Sequence, residues 1–258
     1  MGNTQNSHKM KSTLVIVVLL TGSLLVGGSN TQEDEPKKLL FSDLTSAIKK
    51  HQEKLSHHPF FKMLGDESIP LRQRASFTPY WVFFALSFAD VLDTWIYIPN
   101  PQSELEERIN IFVREDNFHY NFFLQDMQTL GYTMDRFGSL DGMLRHVWSD
   151  ESRAVREFIY TWAHYAKRFN DPLVTLATFE AIEAGLQDLF ETTANKLSFP
   201  EGGLKLEYFG GTHIELEANH THTGWFKGEE IVSSLEDYEI TEVQKANALE
   251  ACEAIFDK

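Results

Sequence analysis

The chain has 258 residues and a formal net charge of −15 at pH 7. This length allows one large domain or two small ones, and the negative charge argues against a nucleic-acid partner. The single cysteine, Cys252, excludes an intrachain disulfide and a cysteine-based zinc site. The 20 Phe, 8 Tyr and 5 Trp residues are enough for a large core with an apolar ligand pocket.

Residues 1–38 differ from the rest of the chain, and we predict that they form a signal or anchor segment with a linker. Lys9 and Lys11 precede an apolar run, residues 14–26, which small and polar residues follow. This order is typical of a secretory signal peptide, and the run is short for a membrane-spanning helix, which needs about 20 apolar residues. We therefore expect export or membrane attachment through residues 14–26, with a cytoplasmic location as the alternative.

From Leu39 onward, the spacing of apolar residues predicts helices almost throughout. We expect Ser42 and Ser149 to cap two of them, Pro172 to lie in the first turn of another, and Gly131 to follow the end of a fourth. No alternating pattern predicts a strand, so residues 39–258 are expected to form one all-α domain of about seven to nine helices. The expected helical segments are 39–55, 70–92, 104–130, 141–147, 151–168, 173–197, a segment that ends near 224, and 229–256.

The stretch from Tyr208 to His222 contains the most informative spacing in the chain. His213, Glu217 and His220 occur at i, i+4 and i+7, so on a helix their side chains share one face. Two imidazoles and a carboxylate are good ligands for a first-row transition metal, iron in particular. The alternative is a solvated helix face that is rich in histidine. His222 lies nine residues after His213, so we expect it to point away from this face.

A second group of candidate ligands lies in the segment 104–130. Asp116 and His119 are three residues apart, and Glu115 and His119 are four apart, so either acid can be directed to the same point as the imidazole. Apolar neighbours suggest that the pair is buried, where a charge is costly unless it is paired or bound to a metal. The alternative is a surface pair with Arg114.

A third candidate position is provided by Glu180 and Glu183 in the segment 173–197. They are one helical turn apart beside an apolar ridge. The alternative is that both are solvated, and we expect this of one of the two. Together, the three segments offer about three carboxylates and three imidazoles. Helical bundles build di-iron sites from such inward-facing side chains, whereas a hydrolytic zinc site needs only three protein ligands.

The motifs around these residues resemble those of the haem-oxygenase-like di-iron oxidases, in the bacterial branch of iron-containing redox enzymes. The resemblance covers about Leu39 to the C-terminus. The motifs that carry it are Phe77-Thr-Pro79 with Phe88-Ala-Asp90, Glu115-Asp116-Asn-Phe-His119 with Asp126 and Leu130-Gly131, Ala181-Ile-Glu183-Ala, and Tyr208-Phe-Gly-Gly-Thr-His213-Ile-Glu-Leu-Glu217-Ala-Asn-His220-Thr.

The resemblance implies a single bundle of about seven core helices, which holds two ferrous ions and uses dioxygen as co-substrate. The protein would then be an oxidoreductase acting on a small organic metabolite or a lipid-like substrate. The ligand set that it implies is Asp116, His119, Glu183, His213, Glu217 and His220, with Glu115 and Glu180 as alternates.

Three other functions are alternatives to this one. A haem-binding oxygenase would need a proximal histidine on an early helix, for which His51, His57 or His58 could serve. A hydrolase of thiamine precursors would need a catalytic cysteine, and Cys252 lies only six residues from the end of the sequence. A non-catalytic protein that binds metal or an apolar ligand is the third alternative, and a homodimer is left open for each of them.

Overall fold

A computed structural model describes residues 38–217 and 235–258 of the chain, and these residues pack into one compact unit. The described residues contain helices and no strand, which confirms the prediction of an all-α protein. A single antiparallel bridge joins Leu40 to Glu239 and holds the start of the unit against the segment before its last helix. The predicted signal or anchor segment lies outside the described residues, apart from Lys38, and stays a prediction.

The bounds of the helices follow the order of the chain. The α-helices are α1 Phe41–Ser56, α2 Pro59–Gly65, α3 Leu71–Arg74, α4 Val82–Val91, α5 Glu104–Asp116, α6 Tyr120–Thr129, α7 Met134–Phe137, α8 Leu140–Val147, α9 Arg153–Arg168, α10 Pro172–Thr193, α11 Gly211–Glu217 and α12 Glu242–Phe256. A 3-10 helix, Ala75–Trp81, joins α3 to α4, and wide π-helical turns follow α4 at Leu92–Ile96 and α10 at Ala194–Ser198.

Helix α10 forms the centre of the unit. Most of its 22 residues are buried, and it contacts α1, α2, α5, α9, α11 and α12. It begins where the sequence predicted: the Asp171 side chain accepts a hydrogen bond from the Leu173 N–H at 2.9 Å, and Pro172 fits the first turn because its missing N–H is not needed there. The candidate ligands of this helix are therefore fixed in the middle of the core.

The apolar segment predicted at 70–92 is a continuous helical run, Leu71–Ile96. Among the described residues, it is the helix that is long and apolar enough to cross a membrane. Its buried side chains pack into the core, where Phe84 contacts Phe158 and Phe88 contacts Trp162. This face of the segment is therefore part of the core.

Three predicted helix boundaries are wrong. Ser42 lies inside α1, which follows Leu40, because the Asp43 carboxylate in the first turn accepts the Leu40 N–H. Helix α9 follows Ser152 and not Ser149. The last helix begins at Glu242 and not near 229, because the Thr241 hydroxyl accepts a hydrogen bond from the Gln244 N–H and fixes the start there.

The segment 104–130 is two helices, α5 and α6, with a turn at 117–119 between them. The predicted end is correct, since Gly131 follows α6 with a φ of 74°, a conformation that costs glycine little. The unpredicted break lies directly between Asp116 and His119, two of the candidate ligands.

Candidate metal centre

Two imidazoles and one carboxylate converge in the core. His213 Nε2 lies 3.0 Å from His119 Nδ1 and 3.0 Å from Glu217 Oε1, and His119 Nδ1 lies 3.2 Å from the same Glu217 oxygen. All three side chains are buried. First-row metals bind such atoms at about 2.0–2.2 Å, so neighbouring ligands of one ion are about 3 Å apart. The three atoms therefore have the spacing and the chemistry to hold a metal ion.

The break between α5 and α6 positions the first histidine. Asp116 is the last residue of α5, and His119 comes just before α6. Asp116 Oδ1 lies 4.0 Å from His119 Nδ1, and both side chains are buried, whereas Glu115 is half-buried. Asp116 is therefore close to the converging atoms of the cluster.

Helix α10 adds carboxylates to the same region. Both Glu180 and Glu183 are buried, so the expectation that one of them is solvated is wrong. Burial raises the pKa of Glu183 well above its usual value, and the negative charges of Glu217, Asp116 and Glu180 raise it further. Both glutamates lie in the part of α10, residues 176–184, where every side chain is buried, so neither of them reaches water.

Main-chain contacts orient His213. Its Nδ1 lies 3.0 Å from the carbonyl oxygen of Tyr208, an arrangement in which Nδ1–H donates and Nε2 carries a lone pair. Burial lowers the pKa of His213, which favours this neutral form. The ring stacks on Tyr208 at 4.6 Å and meets the edge of Phe190 at 4.2 Å. A histidine whose second nitrogen donates to a carbonyl is the usual arrangement of a metal ligand in proteins.

Asp126 supports the segment that leads to His213. Its fully buried carboxylate accepts hydrogen bonds from the N–H groups of Glu207, at 2.5 Å, and Phe209, at 2.9 Å. Burial raises the pKa of Asp126 to about 7 even though these hydrogen bonds oppose the change. The sequence placed Asp126 in a motif but gave it no role. The sequence signal for its burial was the presence of the apolar residues Phe123 and Leu130 about one helical turn away on either side.

Tyr208 connects this segment to the aromatic core. It is buried, and its ring contacts those of His213, Phe123, Phe190 and Phe209. Burial raises the pKa of its hydroxyl, while the indole of Trp81 at that hydroxyl opposes the rise. The candidate centre is therefore enclosed by aromatic rings on the side of Tyr208.

The two buried arginines of the described residues do not bind the acidic cluster. Arg74 donates to the carbonyl oxygens of Leu64, at 2.7 Å, and Ile69, at 3.0 Å, and Arg156 donates to that of Trp148 at 3.3 Å. Several buried carboxylates close to one another repel unless protons or a cation compensate their charge. A bound divalent ion supplies such compensation, so the donor set fits a metal.

The histidines considered for haem lie elsewhere. His51 stacks on Phe256 at 5.0 Å, and His57 Nδ1 lies 2.7 Å from the Glu53 carbonyl oxygen. His58 accepts a hydrogen bond from the Phe60 N–H at the start of α2 and lines a separate cavity. Cys252 is buried, and its pKa is raised to about 12 by that burial, so it is not a nucleophile.

Of the six ligands expected from the sequence, Asp116, His119, Glu183, His213 and Glu217 lie in this one region, and Glu180 lies beside them on α10. His220 and His222 lie outside the described residues. Comparison of the chain with protein-family models gave no match, and no similar curated protein was found.

Proposed function

We propose that this protein is a non-haem di-iron oxidase or oxygenase, which uses dioxygen to oxidise a small organic or lipid-like molecule. The observation that carries the proposal is the convergence of His119, His213 and Glu217 in the core, with the lone pair of His213 Nε2 directed at the other two. Asp116 and Glu183 add two carboxylates beside them. A ligand set of two imidazoles and a carboxylate is typical of non-haem ferrous sites. All-oxygen ligand sets instead suit magnesium, calcium or manganese.

His119, His213 and Glu217 would hold one iron between them, and the carboxylates of Asp116 and Glu183 would extend the site to a second. His220 follows Glu217 by three residues and completes the proposed ligand set. The fold that goes with this assignment is a haem-oxygenase-like bundle of about seven core helices, in which several helices contribute inward-facing acids and histidines.

Two ferrous ions, when bound, supply the electrons that reduce dioxygen and the oxidising power that acts on the substrate. The protein's own contribution is to place donors and to exclude water. The rings of Tyr208 and Phe190 cover His213, so charges in the site interact through a poorly polarisable medium. Because its pKa is raised, Glu183 binds a proton more readily than a solvated glutamate does, and a cation bound there would displace that proton.

The proposal is tested by loading the metal-free full chain with ferrous iron under anaerobic conditions and then admitting oxygen. We expect metal analysis to approach two irons per chain and oxygen to be consumed. Glu217→Gln should abolish oxygen consumption and lower the bound iron, because an amide is a poor ligand in place of a carboxylate. Far-ultraviolet circular dichroism should be unchanged, since a domain of this length has a sufficient core without metal.

Glu215→Gln is the matched control, because it removes the same charge from the same helix at an exposed position. A control variant as inactive as Glu217→Gln, binding that stops at one iron, or preferential retention of zinc would each contradict the proposal. A Soret band after addition of haem would support the haem-binding alternative. Metal bound without any oxygen consumption would support a binding protein.

A further inference from the structure

A cavity of about 470 Å³ lies between α2, the 3-10 helix Ala75–Trp81, α9, α10 and α12. This volume falls within the range of about 300–1,000 Å³ that is usual for small-molecule sites. Nearly all of the side chains that line it are apolar, and many are aromatic. The aromatic rings come from several elements and include Phe60, Phe77, Trp81, Phe84, Phe158 and Phe256.

The cavity is separate from the candidate metal centre. None of the five acids and histidines at that centre lines it. On α10, Ala181 and Gly185 face the cavity, whereas Glu183 lies about 160° away from both around the helix axis. Phe77 contacts Phe209 at 5.0 Å, so a layer of aromatic side chains separates the cavity from the segment that carries Tyr208.

Gly185 gives the cavity part of its width. A glycine inside a helix such as α10 costs about 1 kcal/mol relative to alanine. A methyl group built on Gly185 would lie 3.4 Å from Leu55 Cδ2 and 3.9 Å from Phe256 Cε1, which are ordinary contacts. Neither backbone conformation nor close packing therefore requires glycine at this position. What the missing side chain provides is space, next to Ala181 one turn earlier on the same face.

The lining carries very little charge. Among the described residues, ionisable groups reach the cavity only at His58, Tyr80 and Lys258. The Lys258 ammonium is paired with Glu157 Oε2 at 3.6 Å, and His58 Nδ1 already accepts the Phe60 N–H. A charged ligand group would lose its water in this cavity without gaining an opposite charge, which is costly.

We propose that this cavity is a second binding site, which takes an uncharged apolar molecule containing an aromatic ring. Rings from several directions offer both edges and faces to such a ligand, and aromatic pairs of this kind attract beyond their simple apolar contact. The inference does not depend on the proposed function, because none of the acids and histidines of the candidate metal centre lines the cavity.

Two fluorescent probes with the same ring system test the proposal: uncharged N-phenyl-1-naphthylamine and its sulfonated counterpart, 8-anilino-1-naphthalenesulfonate. Each is titrated into the full chain without added metal. We expect the uncharged probe to bind with a micromolar Kd and the sulfonate to bind at least ten-fold more weakly. Gly185→Leu should weaken binding of the uncharged probe at least ten-fold, because the new side chain fills the cavity. Equal affinity for both probes would overturn the proposal.

Leu144→Gln is the control for non-specific binding of the probe to the surface, since Leu144 is an exposed apolar residue on α8. It should leave the affinity unchanged, and a loss of binding in this variant alone would place the probe on the surface and refute the cavity site. Where Gly185→Leu fails to fold, Gly185→Ala decides: a folded variant that binds the uncharged probe as tightly as the parent overturns the proposal. An affinity at least three-fold lower supports it.

Discussion

At the scale of single residues, the candidate centre depends on side chains that bind no metal themselves. Asp126 is the clearest case, because its carboxylate holds the N–H groups of Glu207 and Phe209, on either side of the residue whose carbonyl orients His213. Removal of the Asp126 carboxylate would therefore break the hydrogen bonds on both sides of Tyr208. This role is visible only in three dimensions, since Asp126 lies more than 80 residues before the groups that it binds.

We predict that Asp126→Asn destabilises the metal-free protein by about 1–3 kcal/mol, the usual cost of a buried polar group left without its partner. The amide oxygen of asparagine can still accept one of the two main-chain N–H groups. The NH₂ group then faces the second N–H, which is left without an acceptor. Urea unfolding measures the change, and metal binding by the same variant should weaken because His213 is held less firmly. Asp141→Asn is the control: it removes an exposed acid that pairs with Arg145, and such pairs contribute about 0–1 kcal/mol. Equal losses in the two variants would contradict the role given to Asp126.

At the scale of secondary-structure elements, α10 connects the candidate centre to the rest of the core. Its cap joins two helices, because Asp171 Oδ1 accepts the Leu173 N–H while Asp171 Oδ2 accepts from Gln244 Nε2 of α12 at 3.1 Å. The same side chain thus starts one helix and attaches the first turn of another. The cap was predictable from the order Asp-Pro, but the bond to α12 was not.

We predict that Asp171→Ala lowers the free energy of unfolding by about 1–2 kcal/mol, as the loss of a helix cap usually does. Asp171→Ser keeps the capping oxygen but loses the second acceptor, so its effect should be smaller. Urea unfolding of both variants separates the cap from the bond between helices. If serine and alanine at this position are equally destabilising, the contribution of the cap is negligible and the assignment is wrong.

The elements also show which local signals could be read from the sequence. Helices α1, α8 and α10 were predicted closely, because apolar spacing and the proline signal at 172 agree with the tertiary structure. The break at 117–119 was missed because the apolar spacing continues across it and no glycine or proline marks it. The turn there follows from packing, which directs Asp116 and His119 into the core together.

At the scale of the whole molecule, the buried acids link stability to pH. Burial raises the pKa of Asp126 to about 7 and that of Glu183 well above 4.5. An acid with a raised pKa in the folded state contributes stability that is fully present below its unfolded pKa, about 4, and is lost as the pH rises through the folded pKa. The free energy of unfolding of the metal-free protein should therefore decrease as the pH rises from weakly acidic to weakly basic values.

We predict that the melting temperature of the metal-free protein is lower at pH 8 than at pH 5.5, and that Glu183→Gln reduces this difference. The amide cannot ionise, so it removes one group whose charge is disfavoured by burial. Differential scanning calorimetry at the two pH values makes the comparison. Glu191→Gln, at an exposed position on the same helix, should leave the difference unchanged. A Glu183→Gln variant with the same pH dependence as the parent would contradict this account.

The whole molecule also shows why only part of the candidate centre was predictable. Spacing within one helix identified His213 with Glu217, because residues four apart share a face. The same spacing rule paired Asp116 with His119, although these two residues lie on either side of the break between α5 and α6. The meeting of α5, α10 and α11 depends on packing among helices that are distant in sequence. The burial of both Glu180 and Glu183 depends on the position of α10 at the centre of the unit, which no local pattern specifies.

The hydrogen bond between His213 and Tyr208 has a consequence for how this protein can change over time. The acceptor is a main-chain oxygen, so the tautomer of the imidazole depends on the position of the backbone and not on a neighbouring side chain. Where an aspartate or a glutamine performs this task, one substitution can reverse the ring or remove its acceptor. Here a substitution at position 208 changes the side chain but keeps the carbonyl oxygen that His213 uses. The lone pair of His213 therefore stays directed into the core.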